Sequence, residues 1–378
     1  MDSFAKRYGT QKFLYTYLED CLDIFSCLFW KIRRDLLASW VIKRYNDNRR
    51  NEFGEYLRKQ KERGWKEMET RYGLMDIGSN TIHAVIYELD GQKWKKVLSE
   101  KEYAELISYV EEQTLSEAGI ERLCQAVESL RRLFQALPCV KTCYFATSAL
   151  RSLKNGEAVL QQVQARTGVE ITVISGQEEA YYDYVSLKQY LKQPKALGLD
   201  LGGGSGQLFC YQSGTLRNSS SYEIGCLRLY NQYVSGVLPS AKERSAICKQ
   251  VRDLLQRGPD FSKTGMDTLY IMGGTGRACA KLFQSLQGLS KSEDGCWITV
   301  AQLKELISTV QELGLNGVRI INRLFPERLC SIMPGLLAIM TVAEYTGVKK
   351  VCIIKEGIRE GFLISNILKE EKQNAGKS

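Results

Sequence analysis

Histidine is almost missing from this chain. Its 378 residues hold one, His83, and its twelve cysteines nowhere form a C-x-x-C pair. That composition argues against a structural zinc site and against an appended histidine-aspartate metal domain. No stretch offers the ~18 uncharged apolar residues of a membrane-spanning helix. The most apolar N-terminal segment, Cys21 to Trp30, is interrupted by Asp23 and precedes no small-residue cleavage site, so it does not read as a signal peptide. Twelve cysteines without a secretion signal fit reduced thiols in the cytoplasm. Zinc fingers, aromatic RNA-binding signatures and long basic runs are also lacking, and no nucleic-acid partner is expected.

What is present belongs to a folded protein: 44% apolar residues, 25% charged and only six prolines. The length suffices for two ordinary domains with buried cores. Net charge is +9, of which residues 1–67 supply +5 through 15 Lys/Arg against 10 Asp/Glu. The remainder is mildly basic, which helps attract a polyanion.

Residues 1–67 read as an N-terminal helical extension. Aromatic and aliphatic residues recur at helical spacing from Phe13 to Ile42, and a charged run follows from Lys43 to Lys66. The segment is either an accessory helix pair or upstream of a true start at Met68. From Arg71 onward strands and helices alternate, which predicts α/β architecture. Strands are expected at Tyr72–Asp76, Thr81–Glu88, Lys141–Ala146 and Val169–Ile174. A helix capped by Thr114 and Glu117 carries Ile120, Leu123, Val127, Leu130 and Phe134. Further helices are expected over Asn155–Thr167 and Gln177–Leu191. The plan then repeats with strands at Ala196–Asp200, Gln207–Tyr211, Thr268–Met272 and Lys350–Lys355, and helices between them. The predicted domains are 68–192 and 193–378.

Two apolar runs each end in an aspartate followed by a glycine-bearing turn. The first is Asp76-Ile77-Gly78-Ser79-Asn80-Thr81; the second is Asp200-Leu201-Gly202-Gly203-Gly204-Ser205. Glycine lets backbone N–H groups approach phosphate oxygens. An aspartate beside them is suited to a divalent cation facing that phosphate. Gly273-Gly274-Thr275-Gly276 opens a helix whose free N–H groups favour anions. Thr147, Ser148 and Arg151 follow a strand end, where the guanidinium fork suits phosphate. A helix N-cap at Thr147 or Ser148 is the plainer alternative. Glu178 and Glu179 occupy the first turn of a helix, where carboxylates are favoured in any case.

Together these segments resemble the exopolyphosphatase/guanosine pentaphosphate phosphatase (Ppx/GppA) family. The matching order is Asp76 to Thr81, Ala146 to Arg151, Ile174 to Ala180 and Asp200 to Ser205. Later matches are Gly225 to Leu229, Gly273 to Thr275, Pro334-Gly335 and Glu356 to Gly361. The resemblance spans about residues 70–365. It implies the duplicated two-domain fold of actin, sugar kinases and heat-shock ATPases, which is ribonuclease H-like. It also implies the short family form, without a C-terminal HD-type domain. Implied too are a magnesium cofactor and release of terminal phosphate from inorganic polyphosphate, or of the 5′ phosphate from guanosine pentaphosphate.

By that resemblance Glu179 activates water and Asp200, with Glu179, holds magnesium. Asp76, Gly78, Ser79, Asn80 and Thr81 then line one phosphate loop, Gly202, Gly203, Gly204 and Ser205 the second. Thr147, Ser148, Gly274 and Thr275 add to the phosphate-binding set, and Arg151 neutralises charge. One position departs: the family reads Gly-Gly-Gly-Ser-Thr-Glu at the second loop, whereas this chain has Gly206-Gln207 last. Glutamine orients water but accepts no proton. A binder of polyphosphate or alarmone that does not cleave it is the alternative. Substrate preference stays open, and so does the choice between monomer and homodimer.

Overall fold

The structure, a computed structural model, describes residues 70–91, 93–191, 194–289 and 292–375. The helices expected within 1–67 lie outside the described residues, and so does the boundary expected between 192 and 193. The described chain falls into two compact units. One gathers 70–73, Ile86–Leu98 and Ser129–Thr142; the other gathers Leu74–Val85, Ser99–Glu128 and the residues from Cys143 onward.

Elements of the first half run β1 (Thr70–Ile77), β2 (Thr81–Asp90), β3 (Lys93–Tyr103), β4 (Val110–Glu111), β5 (Thr114–Leu115) and α1 (Glu117–Ala136). They continue as β6 (Lys141–Ala146), α2 (Ser148–Arg151), α3 (Gly156–Thr167), β7 (Thr172–Val173) and α4 (Gly176–Tyr190). The five-stranded sheet has the order β3-β2-β1-β6-β7, with β6 and β7 parallel. Within the larger unit, Leu74, Met75, Ile77, Ile82 and Val85 are fully buried, as expected of central strands covered on both faces. In the smaller unit Tyr87 meets Trp94 edge-on at 5.6 Å and Arg71 Nε lies 3.5 Å from Glu88.

The second half repeats the plan with β8 (Lys195–Leu201), β9 (Gly206–Gln212), β10 (Thr215–Tyr222), α5 (Cys226–Tyr233), α6 (Ala241–Gln256), β11 (Thr268–Met272) and α7 (Gly273–Leu286). Then come β12 (Trp297–Thr299), α8 (Val300–Leu313), α9 (Leu315–Leu324), α10 (Ile332–Thr346), β13 (Lys350–Ile353), α11 (Ile358–Phe362) and α12 (Leu368–Ala375). Its sheet order is β10-β9-β8-β11-β13-β12. Each sheet therefore begins with three consecutive strands and continues with strands reached through helices. The duplicated α/β plan expected from the sequence is the one observed.

One face of the second sheet packs against α5 to α10 through residues such as Leu197, Leu199, Ile271, Leu336 and Ile339. Its other face is covered by α4, whose Ala180, Tyr184 and Leu187 meet Phe209, Tyr211 and Met272. Tyr182 of the same helix packs with Phe145, Ile174 and Ile358, and Phe362 stacks on Phe145 at 4.7 Å. α4 is thus apolar on more than one side, which is the pattern of a helix buried between layers. Among the described residues no helix is long and apolar enough to cross a membrane.

Some expectations are corrected. The helix expected to be capped by Thr114 starts after Ser116, whose hydroxyl accepts from Gly119 N at 3.3 Å. Thr114 is drawn instead into a two-residue pairing with Glu111. The strand expected over Val169–Ile174 is only Thr172–Val173. The third glycine-rich segment opens α7 as expected and is itself its first turn, the helix beginning at Gly273.

Candidate active site

The two glycine-bearing turns have the same backbone construction. In the first, Gly78 N donates to Thr81 O at 3.1 Å; in the second, Gly202 N donates to Ser205 O at 2.9 Å. Each closes a hairpin, β1 to β2 and β8 to β9. They also touch: a Cβ on Gly203 would lie 3.0 Å from Asn80 Cβ, and one on Gly204 would press on Ser79 and Ser148 at 2.5 Å and 2.9 Å. Ser79 Oγ and Ser148 Oγ are 3.1 Å apart. All of these residues belong to the larger unit.

The second turn is held from behind. Cys226 N donates to Gly202 O, while Leu227 N and Arg228 N both donate to Gly203 O, each at 3.0 Å. Arg228 Nε donates to Gly204 O at 3.0 Å. A peptide plane points its C=O and the next N–H in opposite directions. With these carbonyls anchored on α5, the N–H groups of Gly203, Gly204 and Ser205 face away from it. That close approach requires Gly225, because a Cβ there would collide with the backbone of Gly203 and Gly204.

The turns open onto a cavity of about 130 Å³. Its lining includes Asp76, Gly78, Ser79, Asn80, Thr81, Thr147, Ser148, Glu179, Asp200, Gly202, Gly203, Ser205, Gly274 and Thr275. Three sequence candidates stand outside that lining: Gly204, Arg151 and Gln207. Gly204 is the point where the second turn meets Ser79 and Ser148. Arg151 Nη1 donates to Glu179 Oε2 at 2.8 Å and to Ile174 O at 3.1 Å. Gln207 sits opposite Asp200 on the neighbouring strand. Its Nε2 donates to Ser205 Oγ at 2.9 Å and Ser221 Oγ at 3.0 Å. Ser221 also accepts from Arg151 Nη2 at 3.3 Å, so Gln207, Ser221, Arg151 and Glu179 form one chain.

Helix α4 presents Glu179 through its own cap. Ser175 Oγ accepts from Glu178 N at 3.1 Å while Glu178 Oε2 accepts from Ser175 N at 2.8 Å. Glu178 is spent on this capping box, which leaves Glu179 for the cavity. Burial pushes the Glu179 carboxyl up to about 7, against the pull of Arg151 and with Asp200 and Asp76 adding to the rise. Asp76 also titrates above its ordinary range because burial outweighs Arg359, whose Nη1 donates to Asp76 Oδ2 at 2.8 Å. Asp200 is raised by burial and then by Asp76.

The sequence reading missed the cationic side of this cavity. Lys101, Arg277, Arg328, Lys355 and Arg359 all line it. Burial, Arg359 and Arg328 together lower the Arg277 pKa. Arg277 directly follows the glycines opening α7, and Arg359 lies inside a segment quoted for its resemblance. Those positions were the available signal. Arg328 and Lys101 carried none, since they come from a short turn and an edge strand. Guanidinium groups crowded beside carboxylates can hold a polyanion, with Glu179 available to exchange a proton.

The sequence pattern of the Ppx/GppA phosphatase family matches residues 85–370. Exopolyphosphatase 1 of Mycobacterium tuberculosis is 22% identical over 304 residues, covering 79% of this chain and 88% of that protein. A guanosine-5′-triphosphate,3′-diphosphate pyrophosphatase of Aeromonas hydrophila is 25% identical over 296 residues; the match covers 77% of this chain and 58% of the relative. In fold, the chain is similar to the Aquifex aeolicus Ppx/GppA family member, with a TM-score of 0.65, 24% identity and coverage of 80% and 98% of the two chains. An exopolyphosphatase from Cytophaga hutchinsonii aligns with a TM-score of 0.69, 18% identity and coverage of 80% and 98%.

Proposed function

The chain belongs to the Ppx/GppA phosphatase family, and on that premise we propose that it hydrolyses terminal phosphoanhydride bonds, in inorganic polyphosphate or at the 5′ end of guanosine pentaphosphate. The observation that carries this reading is the convergence of both glycine turns, Glu179 and five cationic side chains on one cavity. Phosphoryl transfer needs charge neutralisation around the phosphorus and an aligned nucleophile more than covalent help.

The N–H groups of Gly203, Gly204 and Ser205, with the N-terminus of α7, are suited to hold phosphate oxygens. Arg277, Arg328 and Arg359 offset the charge of a chain of phosphates. Glu179, whose carboxyl is raised to about 7, takes a proton from the attacking water. The water oxygen bonds to the terminal phosphorus as the bridging P–O bond breaks, and orthophosphate leaves with the shortened anhydride as its partner product. Arg151 orients the Glu179 carboxylate rather than the phosphate.

Magnesium fits the donor set. Asp76 and Glu179 already have arginine partners, whereas Asp200 faces another carboxyl group, that of Asp183. Among the described residues no three His, Cys, Asp or Glu side chains stand at ligand spacing. Magnesium needs no such group, because it commonly binds through one or two carboxylates and keeps several waters. When bound beside Asp200 it supplies further neutralisation of phosphate charge. Ten free cysteines among the described residues accord with a reducing, cytoplasmic setting.

The departure at Gln207 favours a second reading, a ligand-binding regulator, because the amide opposite Asp200 is held by two serines and carries no charge. Incubating the full chain with polyphosphate and with guanosine pentaphosphate at equal magnesium, and measuring released phosphate, separates the two. Release from either substrate is expected. Tight binding of both with no release would leave the regulator.

A further inference from the structure

Asp183 is a carboxylate buried beside Asp200 of the cavity wall. It is 0% exposed, and neither carboxyl oxygen meets a hydrogen-bond donor. It lies one helical turn beyond Glu179 on α4, where residues four apart share a face. Its carboxyl reaches that of Asp200 within hydrogen-bonding distance. Two acceptors at that separation bind only through a shared proton or an intervening cation. Full burial leaves a second bare anion at Asp183 without water to offset its charge.

Asp200 connects this buried pair to the cavity, because it lines the wall that also holds Gly202 and Gly274. On its strand-neighbour side stands Gln207, whose amide hydrogens are engaged by Ser205 and Ser221 and add no charge. On its other side is the start of α7. Gly273 there has φ of +79° and lies so close that a Cβ would strike Asp200 Oδ1. Asp200 is thus flanked by Gln207, by the start of α7 and by Asp183.

Resting on the hydrolase reading above, we propose that Asp183 and Asp200 together grip the divalent cation, Asp183 supplying the second carboxylate that Gln207 does not. The site joins two consecutive elements, α4 and the end of β8. Its two carboxylates are a sufficient anchor for an ion that keeps most of its water. Asp183 is then a cation-holding residue whose charge is tolerated because the ion offsets it.

Manganese binding to the full-length protein tests this, read by the electron paramagnetic resonance signal of free Mn²⁺ without any phosphate ligand. The wild type is expected to bind one Mn²⁺ that excess Mg²⁺ displaces. Asp183→Asn is expected to weaken Mn²⁺ binding by about tenfold or more. The same variant should melt at a higher temperature than the wild type without metal, because an amide donor replaces a repelled carboxylate, and should gain less from added Mg²⁺. Asp183→Leu, of similar volume, checks the result should the asparagine variant fold poorly. Unchanged Mn²⁺ affinity in a folded variant, or no Mn²⁺ bound by the wild type, would overturn the proposal. Phosphate release is assayed in parallel: turnover with unchanged Mn²⁺ affinity in the variant refutes only the cation site, and lost Mn²⁺ binding without turnover of either substrate in the wild type refutes only the activity.

Discussion

Arg151 Nη1 lies 2.8 Å from Glu179 Oε2, although 28 positions separate them and Arg151 lies outside the cavity lining. The guanidinium thus acts on the carboxylate that faces the cavity, and it does so from the last residue of α2, where it was expected to meet phosphate instead.

Replacing Glu179 by glutamine removes the proton acceptor and keeps the shape. Turnover is expected to fall roughly 10²- to 10⁴-fold, with binding of a non-hydrolysable polyphosphate analogue retained. Retained phosphate release would show that another group activates the water.

Arg151→Met leaves the Glu179 carboxyl buried without its cation. Stability is expected to fall by about 1–3 kcal/mol, less than for a fully buried pair because Arg151 is partly exposed. The catalytic rate should drop while KM changes little. A raised KM with unchanged kcat in steady-state assays would instead place Arg151 on the substrate.

Arg277 is crowded by Arg328 and Arg359, and its burial lowers its pKa. Arg277→Met is expected to weaken substrate binding by about tenfold, the effect of losing one charge-assisted hydrogen bond. It should at the same time raise the melting temperature of the unliganded protein, since a repelled cation is gone. Opposite signs in KM and thermal stability are the measurement. Loss of both stability and affinity would make Arg277 a structural ion instead.

Gly225→Ala drives a methyl group into the backbone of Gly203 and Gly204. Displacement of α5 from the second turn is expected to cost about 3 kcal/mol or more, seen as a lower urea midpoint together with lost phosphate binding. Wild-type stability in that variant would contradict the close approach.

Much of this site was legible because its chemistry is local. Asp76 to Thr81 and Asp200 to Ser205 each carry glycines, hydroxyls and a carboxylate inside six residues, so the turn and its purpose appear together. Glu179 was singled out by family resemblance, and the structure adds the reason, since the capping box occupies Glu178. Lys93–Tyr103 and Thr215–Tyr222 were not foreseen as strands; both are sheet edges, where charged and polar side chains mask the alternation. Asp183 was invisible for another reason. Only the packing of α4 against β8 turns an ordinary helical aspartate into a buried one beside Asp200. Arg328 and Lys101 share that history, since nothing near them in sequence announces a phosphate.

The bond from Arg359 to Asp76 spans 283 positions of the chain. At a synthesis rate of about 5–20 residues per second, the first aspartate waits roughly 15–60 s on the ribosome for its counter-ion. A nascent chain therefore carries that carboxylate through most of translation unmatched, and any product stopped before Arg359 lacks the latch between the β1–β2 hairpin and α11.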